Sequence, residues 1–530
     1  MASLLCLFAG IQTGGASTRL FSYIFVYIIG LYLFSGTRRK CVSETCLTSF
    51  MALGVLYETY IGLGQLIGTR LSGNNYFCFT GSFANPGPLG GYLALAGTLM
   101  LHVMMRKKRG WQILIPPFMC VAVMLPVTLG RASWLAFLAS GAAVVITDVR
   151  AREWASAHNM NGCRKWAVIA VFTIIATASA FGIYRMKQAS ADGRLLMGRM
   201  CVHAMLERPL SGHGPGKYAK AYGDAQYDYF ASGTYTEKQR LTADCPEYPF
   251  NTFLKVGVEY GIPAMIMLAA IVLFSIVTAI RYDRTAGFGL LCLTVFAMFS
   301  YPQEILIFRI LAPLLMAGAV PWGNAIGQIR SIGCKAIKWN IIGIAVFGLA
   351  YIGNGTWTDA KNEREWHRYE KYYTSGRYDK AADLYGGISD KLGNNHIFLF
   401  QYGQSLLESG RFREADSVLT RGASMSCDPM FWNLMGRCRQ AMGQYDEAEE
   451  CFRHAFLMVP GRLYPLVLSA KLKYETGDTI GFATKLSEIR AFRPKLENTL
   501  TSQLRSEIED LALIMTTTAE SYHHSALHRP

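Results

Sequence analysis

The sequence has little charge, and its cysteines follow no recognisable pattern. Of its 530 residues, 17% are charged; the 13 cysteines include no CxxC pair, and several, such as Cys6, Cys120 and Cys292, lie in apolar runs. A cysteine in an apolar run usually packs as a small hydrophobic residue. The cysteines therefore predict neither a metal site nor a disulfide framework.

The motifs of several enzyme classes are missing as well. The chain has no Walker loop, no HExxH, no GxSxG, and no DxD-type metal pair in a loop predicted below to face outward. ATP hydrolysis, zinc proteolysis and serine hydrolysis are therefore unsupported. We expect chemistry that needs no metal and no cofactor.

Long apolar runs fill the chain to about residue 352 and then stop. The basic excess belongs to the same part: residues 353–530 contain 22 Lys and Arg and 23 Asp and Glu, and the residues before them contain 30 and 14. Basic residues between apolar runs are the topology signal of a membrane protein. The pI of about 9.2 therefore does not indicate nucleic-acid binding.

About ten segments are apolar and long enough to cross a bilayer as helices, which needs roughly 20 residues. They cover residues 18–34, 45–67, 87–105, 111–129, 132–147, 166–184, 256–280, 286–301, 305–322 and 339–353. Alternate short loops carry sixteen Lys and Arg, against Arg70 and Arg131 in the opposite set. The basic set should face the cytoplasm, so the long loop 185–255 and everything after the last span should lie in the periplasm.

The C-terminal part contains a repeat. Gly376, Gly410, Gly443 and Gly477 are separated by 34, 33 and 34 residues, in the contexts SGRYDKAADLY, SGRFREADSVL, MGQYDEAEECF and TGDTIGFATKL. An alanine follows the first three glycines by five positions, and Phe482 takes that place in the fourth. The period predicts tetratricopeptide repeats, which bind extended peptide or protein segments and seldom catalyse reactions. We therefore expect a protein partner here and the chemistry in the membrane part.

Basic residues on the outer side are the first candidates for a site. Arg131 lies in VTLGRASWLAFLASG, where the flanking apolar runs leave almost no loop, so its guanidinium should lie at the outer membrane edge. Arginine suits a diphosphate because its planar fork donates two parallel hydrogen bonds and keeps its charge. For Arg131 the alternative is a helix anchor whose charged end snorkels to the membrane surface. The long outer loop carries a second basic set, which includes Arg194, Arg199, Arg208 and Lys217. For this set the alternative is a solvated basic loop.

Polar residues also follow the loop back into the membrane, in DCPEYPFNTFLKVGVEYGIPAMIML. Glu247 is a candidate base for an acceptor hydroxyl, and Asn251 is a candidate substrate-binding residue. An exposed loop carboxylate is the alternative for Glu247. Glu304 is a weaker candidate base, and Glu58, within a span, is expected to pair with an arginine of the bundle.

Residues 45–320 resemble the bacterial O-antigen ligase and O-antigen polymerase superfamily of polytopic glycosyltransferases. The resemblance rests on the order and spacing of four stretches, FTGSFANPGPLGGYLALA, TLGRASWLAFLASG, DGRLLMGRMCVHAMLERPLSGHGPGKY and FNTFLKVGVEYGIPAMI. It implies an inverting transferase that moves a glycan from undecaprenyl diphosphate to an acceptor without metal or nucleotide. It also implies that Arg131 and Arg194 bind the diphosphate leaving group.

One position departs from the resemblance. Where family ligases usually have a histidine before the asparagine, proposed as the acceptor-activating base, this chain has Phe250 before Asn251. Phenylalanine cannot accept a proton, so Glu247, His203 or His213 replaces it, or the acceptor differs. Appended periplasmic tetratricopeptide repeats are similar to those of some members of the superfamily.

The sequence therefore predicts an all-α protein with three regions. They are a transmembrane domain at 1–353, a tetratricopeptide domain at 360–515 and a disordered tail at 516–530. The expected activity is glycan transfer from an undecaprenyl-diphosphate-linked donor to lipid A core, polysaccharide or protein at the bacterial inner membrane. The alternatives are an O-antigen-type polymerase, a flippase or transporter of the same lipid, and a non-enzymatic membrane-anchored scaffold.

Overall fold

The computed structural model describes residues 27, 42–74, 76–106, 110–147, 188–319 and 361–527. Within these residues the regular structure is helical and contains no strand, as the predicted all-α class requires. The chain divides into two compact units. The first comprises Met1–Lys187, Pro249–Gly257 and Pro263–Thr358, and the second comprises Gln188–Tyr248, Val258–Ile262 and Asp359–Pro530.

The first unit consists of apolar helices. A π-helical turn, Val42–Leu47, leads into the first of them. The helices are α1 (Thr48–Ile67), α2 (Pro86–Arg106), α3 (Ile115–Val127), α4 (Arg131–Thr147), the start of α8 (Thr252–Tyr260), α9 (Ile262–Tyr282), α10 (Arg284–Phe299) and α11 (Leu306–Ala317).

Three of these helical segments are long and apolar enough to cross a membrane: Thr45–Ile67, Pro86–Arg106 and Ile262–Tyr282. Each covers about 30 Å at 1.5 Å per residue, the thickness of a bilayer core. Four other apolar helical segments are shorter, at 10–17 residues: Trp111–Val127, Arg131–Thr147, Arg284–Phe299 and Leu306–Ala317. Apart from residue 27, the predicted spans 18–34, 166–184 and 339–353 lie outside the described residues, so ten spans remain a prediction.

Two of the predicted spans differ in their bounds. The stretch 256–280 is two helices, α8 and α9, because the chain turns at Gly261, whose φ of +89° favours glycine. The stretch 305–322 is represented by the shorter α11, which ends at Ala317.

Helix α2 lies at the centre of the first unit. Along its apolar stretch 83% of the residues are buried, against 17% for α9. Glycines make this burial possible: a Cβ on Gly91 would overlap the ring of Phe296 in α10, and one on Gly97 would lie 2.9 Å from the ring of Phe137 in α4. Small residues that let helices approach closely are typical of helix packing in membranes.

Between residues 361 and 527, which the structure describes, the second unit contains ten helices, which we call the C-terminal array. They are α12 (361–374), α13 (Tyr378–Gly386), α14 (Ser389–Leu392), α15 (His396–Glu408), α16 (Phe412–Ala423), α17 (Met430–Ala441), α18 (Tyr445–Met458), α19 (Tyr464–Glu475), α20 (Thr479–Ala491) and α21 (Thr499–Leu527).

Each repeat glycine of the sequence turns the chain within a helix pair of the array. Gly376, Gly410, Gly443 and Gly477 have φ between +71° and +78°, which non-glycine residues rarely adopt. The alanines that follow the first three are fully buried, and Phe482 fills the fourth position at 3% exposure. Helix α21 runs to Leu527, beyond the boundary at 516 where a disordered tail is predicted. The sequence there has no proline or glycine before the final Pro530 to end a helix.

Residues 188–248 of the outer loop group with the array, whereas the end of the loop, from Pro249, belongs to the first unit. Residues 188–248 form α5 (Gln188–Glu207), α6 (Tyr218–Ala231) and α7 (Glu237–Thr242), and α6 packs against α18. The sequence boundaries place this loop in the transmembrane domain. The contacts instead bring it together with residues that follow it by about 200 positions in the chain.

Candidate functional site

Arg131 is the first residue of α4, in the first unit. A tight turn precedes it: Leu129 adopts a φ of +49°, and Thr128 Oγ1 accepts a hydrogen bond from the Gly130 amide at 3.3 Å. Trp134, one turn into the helix, donates its indole N–H to the Leu125 carbonyl at 2.8 Å. The turn is therefore fixed on both sides, and Arg131 is held, partly buried, at the helix N-terminus.

The N-terminus of α2 lies beside that of α4. Ser133 Oγ donates to the Gly87 carbonyl at 3.3 Å. A Cβ on Gly90 of α2 would lie only 2.6 Å from Ser133 Oγ. A helix N-terminus carries partial positive charge and directs backbone N–H groups outward. The α2 terminus offers few donors, because Pro86 and Pro88 have no amide N–H and the Gly87 amide donates to Asn85 Oδ1 at 2.9 Å. The positive charge of this region therefore comes chiefly from the N-terminus of α4 and from Arg131 at its first position, and it suits a phosphate group.

A short loop before α2 is held by two buried side chains of α1. Glu58 accepts from the Ser82 amide at 2.8 Å and from the Ser82 hydroxyl at 2.5 Å. Gln65 accepts from the amides of Thr80 and Gly81 at 3.0 and 2.9 Å. In the part of the chain that the structure describes, the Glu58 carboxylate is bound by Ser82 and by no arginine, so the predicted ion pair is not among its contacts here.

Arg194 and Arg199 lie on α5, in the second unit. Five residues at 100° per residue place their side chains about 140° apart around the helix, so they do not share one face. The Arg199 guanidinium lies 4.8 Å from the centre of the Tyr229 ring, and its Nη1 donates to the Tyr229 hydroxyl at 3.3 Å. Arg194 is partly buried on another side of the same helix.

Arg208 and Lys217 are exposed on either side of a glycine-rich turn. The turn is fixed by backbone pairing: the His213 and Gly214 amides donate to the carbonyls of Val258 and Glu259, each at 2.9 Å. Gly212 (φ +66°) is required there, since a Cβ would overlap the Glu259 backbone. The two basic residues thus flank a rigid turn.

Two histidines of this region share one carboxylate. His203 Nδ1 lies 3.2 Å from Glu207, and His213 Nε2 lies 3.8 Å from the other oxygen of Glu207. His213 Nε2 is also 2.8 Å from the Ala204 carbonyl. A carbonyl only accepts, so this nitrogen carries hydrogen and is not a proton acceptor. His203 is half exposed, and its contact with Glu207 leaves Nε2 available as the acceptor.

Asn251 caps a helix. Its side-chain oxygen accepts from the amides of Phe253 and Leu254 at 2.9 and 3.1 Å, in the first turn of α8. Phe250, where the resemblance expects a histidine, packs edge-on against Tyr301 with ring centres 5.3 Å apart. A role for Asn251 in substrate binding remains a prediction, and the capping hydrogen bonds give this position a structural task.

Glu247 contacts a histidine of the array. Its carboxylate lies 3.4 Å from His396 Nε2, and this hydrogen bond holds the pKa of Glu247 below its ordinary value. A lower pKa makes a carboxylate a weaker base. The geometry therefore favours a docking role for Glu247, and its catalytic role stays a prediction.

An ion cluster in the first unit was only partly visible in the sequence. Glu304 contacts Lys255 of α8 and Arg309 of α11, and the Arg309 pair measures 3.0 Å. Arg309 is 4% exposed, and its Nε donates to the Gln303 carbonyl. The sequence marks Glu304 as a candidate base. It does not predict the partners of Glu304, because Lys255 and Arg309 lie in separate apolar helices and no sequence spacing links them. The three residues connect the start of α8 to the turn before α11.

The candidate residues divide between the two compact units. Arg131 and Asn251 belong to the first, and the second contains Arg194, Arg199, Arg208, Lys217 and Glu247. Within the described residues, no three His, Cys, Asp or Glu side chains are grouped so as to hold a metal ion.

The O-antigen ligase family model matches residues 88–269. The matched range contains all seven candidate residues of both units. The match supports the O-antigen ligase superfamily, whose members are integral membrane proteins, and with it a membrane glycosyltransferase of ligase or polymerase type. No curated protein matches the chain.

Proposed function

We propose that this protein transfers a glycan from undecaprenyl diphosphate to a periplasmic acceptor in cell-surface polysaccharide biosynthesis. The observation that carries the proposal is the position of Arg131, at the N-terminus of α4 and beside the N-terminus of α2. A diphosphate leaving group gains negative charge as the glycosidic bond breaks. Fixed positive groups stabilise this charge more in the transition state than in the ground state, which is what accelerates a reaction.

The second unit supplies the remaining basic groups in this proposal. As the resemblance implies, Arg194 is proposed to bind the diphosphate leaving group as well, and Arg199, Arg208 and Lys217 are proposed to bind the donor. Arg199 is the most constrained of the three, because Tyr229 holds its guanidinium. An arginine held by its surroundings loses less conformational entropy when it binds an anion.

The acceptor hydroxyl must lose a proton as its oxygen attacks the anomeric carbon from the face opposite the diphosphate. The new bond forms to that oxygen, the bond to the diphosphate oxygen breaks, and the configuration inverts. Among Glu247, His203 and His213, the arrangement of His203 fits a general base best, since Glu207 orients Nδ1 and leaves Nε2 to accept the proton. Neither a metal nor a cofactor enters this scheme.

The grouping of the loop with the array supports a periplasmic location for both. Two segments that pack into one compact unit must lie on the same side of the membrane, and residues 188–248 and 359–530 share the second unit. The distribution of Lys and Arg assigns that side to the periplasm. The array, with its glycine turns and buried alanines, is proposed to consist of tetratricopeptide repeats.

The test is a transfer assay with purified protein in lipid nanodiscs and an undecaprenyl-diphosphate-linked glycan. Arg131→Ala should lower kcat by about 10²–10³-fold, as removal of one charge-stabilising donor does elsewhere. Arg70→Ala is the matched control, because Arg70 is the other arginine of the predicted short outer loops and contacts Tyr60. Equal activity of wild type and Arg131→Ala would contradict the proposal.

Product analysis separates the alternatives within and outside the enzyme class. A ligase attaches a preformed glycan to a lipid A core or a protein, whereas a polymerase lengthens the lipid-linked chain. A flippase would change the side on which the lipid-linked glycan is found and form no new glycosidic bond. A membrane-anchored scaffold would tolerate both Arg131→Ala and Arg194→Ala.

A further inference from the structure

A short extended segment of the outer loop follows one edge of the C-terminal array. Four consecutive residues contact four array residues that are 31, 35 and 33 positions apart, each at a connection between one helix pair and the next. The pairs are Glu247 with His396 (3.4 Å), the Pro246 carbonyl with Cys427 Sγ (3.4 Å), Cys245 Sγ with Arg462 (3.1 Å) and Asp244 with Lys495 (2.9 Å). Each of the four residues therefore contacts a different repeat of the array.

Arg240 anchors the beginning of this segment. It is 8% exposed and donates to the carbonyls of Pro460 and Arg493 at 2.8 and 2.6 Å, while its guanidinium lies 4.7 Å from the centre of the Phe492 ring. Glu237, one turn earlier, accepts from the same guanidinium at 2.8 and 2.6 Å. A buried arginine with these partners is costly to displace, since its charge would lose several hydrogen bonds together.

Helix α6 provides a second contact with the array. The ring of Tyr227 stacks on His454 with centres 4.0 Å apart, and Trp432 stacks on the same histidine at 3.7 Å. Gln226 donates to the Met458 carbonyl. At Gly223 the helix comes so close that a Cβ would lie 3.0 Å from both Cys427 and Met458.

The same loop elements hold the arginine helix. Tyr229 of α6 binds Arg199 of α5, and Lys238 of α7 pairs with Asp192 of α5 at 2.8 Å. The contacts therefore run from the array through α6 and α7 to the helix that carries Arg194 and Arg199.

We propose that the C-terminal array is an intramolecular clamp: its repeat edge binds residues 240–248 of the same chain and so positions the arginine helix for transfer. Its natural occupant is this segment and not a separate protein, which replaces the expectation of a partner at this edge. The positioning part rests on the proposed function. Arg240 is a positioning residue in this account, because it acts through α7 and α5.

The test uses the full chain in nanodiscs and two variants that act at different contacts. Gly223→Leu wedges α6 away from Cys427 and Met458, and Arg240→Ala removes the anchor. Arg490→Ala is the matched control, since Arg490 is an exposed arginine of the array that pairs with Glu509. Amide hydrogen exchange, kinetics of glycan transfer and binding of a labelled peptide of residues 240–248 are measured for each.

Both variants should raise amide exchange of residues 240–248 at least about tenfold while exchange in the cores of α15–α19 stays slow. The labelled peptide should bind to Arg240→Ala, whose edge is vacated, and not to wild type; a scrambled peptide should bind to neither. kcat should fall by about 10²-fold with a smaller change in KM, because misplacement of charge-stabilising groups acts on the transition state. Arg240→Lys should recover part of kcat, and Arg490→Ala should match wild type.

Unchanged exchange of residues 240–248 in both variants would overturn the clamp. Faster exchange of residues 240–248 together with an unchanged kcat would overturn the positioning role. Loss of slow exchange in the array would overturn it as well, because it would mean that the variants had unfolded the array. A wild-type protein without transfer activity would instead refute the proposed function, and the exchange and peptide measurements would still decide whether the edge holds this segment.

Discussion

The two compact units differ in which side chains they bury and which they expose. In the first, glycines lie inside and large apolar side chains such as Phe274 (72% exposed) face outward. In the array, Phe398, Phe431 and Phe452 are buried, and ion pairs such as Arg411 with Glu414 lie on the surface. In lipid, exposed apolar side chains carry no penalty and helices associate through close packing of small residues. In water, burial of large apolar side chains stabilises the fold. The same degree of exposure therefore has a different meaning in each unit.

The largest expected effect tests this difference directly. Phe274→Asp in α9 places a charge on a lipid-facing surface and should cost about 2.5–3.5 kcal/mol of insertion free energy. Ile480→Asp in α20, at 81% exposure, should change stability by no more than about 0.5 kcal/mol. The fraction of chain inserted in membranes and the midpoint of thermal unfolding measure the two effects. Equal effects of both variants would mean that α9 is not surrounded by lipid.

Two glycine substitutions test whether the helices of the first unit are closely packed. Gly91→Ala should destabilise the first unit by about 1–3 kcal/mol, because its Cβ would overlap the Phe296 ring in a packed core. Gly141→Ala is the matched control in α4, since its Cβ would meet Leu101 at 3.5 Å, an ordinary contact. Thermal unfolding in detergent, followed by size exclusion, should separate them. A stable Gly91→Ala would show that α2 and α10 are not closely packed.

The smallest effect concerns His454, between Tyr227 and Trp432. Burial lowers its pKa to about 4 from the usual 6.5, so the unfolded chain binds a proton that the folded chain does not between these two values. Stability should therefore decrease as the pH falls from about 6.5 to 4. His454→Gln should remove this part of the pH dependence of the unfolding midpoint. An unaltered pH profile in that variant would contradict the lowered pKa.

The periodic features of the fold could be predicted from the sequence, since they depend on local patterns. Apolar runs predict α1 and α2 to within a few residues, and the repeat glycines predict turns that the structure contains. Gly261 gave no such signal within its apolar stretch, so α8 and α9 were predicted as one span. Proline and glycine within an apolar run are compatible with a continuous membrane helix when neighbours compensate.

The contacts that join distant parts of the chain could not be predicted. Glu247 has the sequence context of a base, yet its partner, His396, follows it by 149 residues. Glu58 binds Ser82 across a loop that carries no pairing signal. Such partners depend on how helices pack, and a single sequence records the candidates without recording the pairs.

The central claim, glycan transfer that depends on Arg131, is tested most directly in cells that lack this gene. Surface glycans and glycoproteins are separated on a gel, after complementation with wild type or with Arg131→Ala. The account predicts that a glycan species disappears in the deletion, that its lipid-linked precursor accumulates, and that only wild type restores it. An unchanged pattern in the deletion, or full restoration by Arg131→Ala, would contradict it.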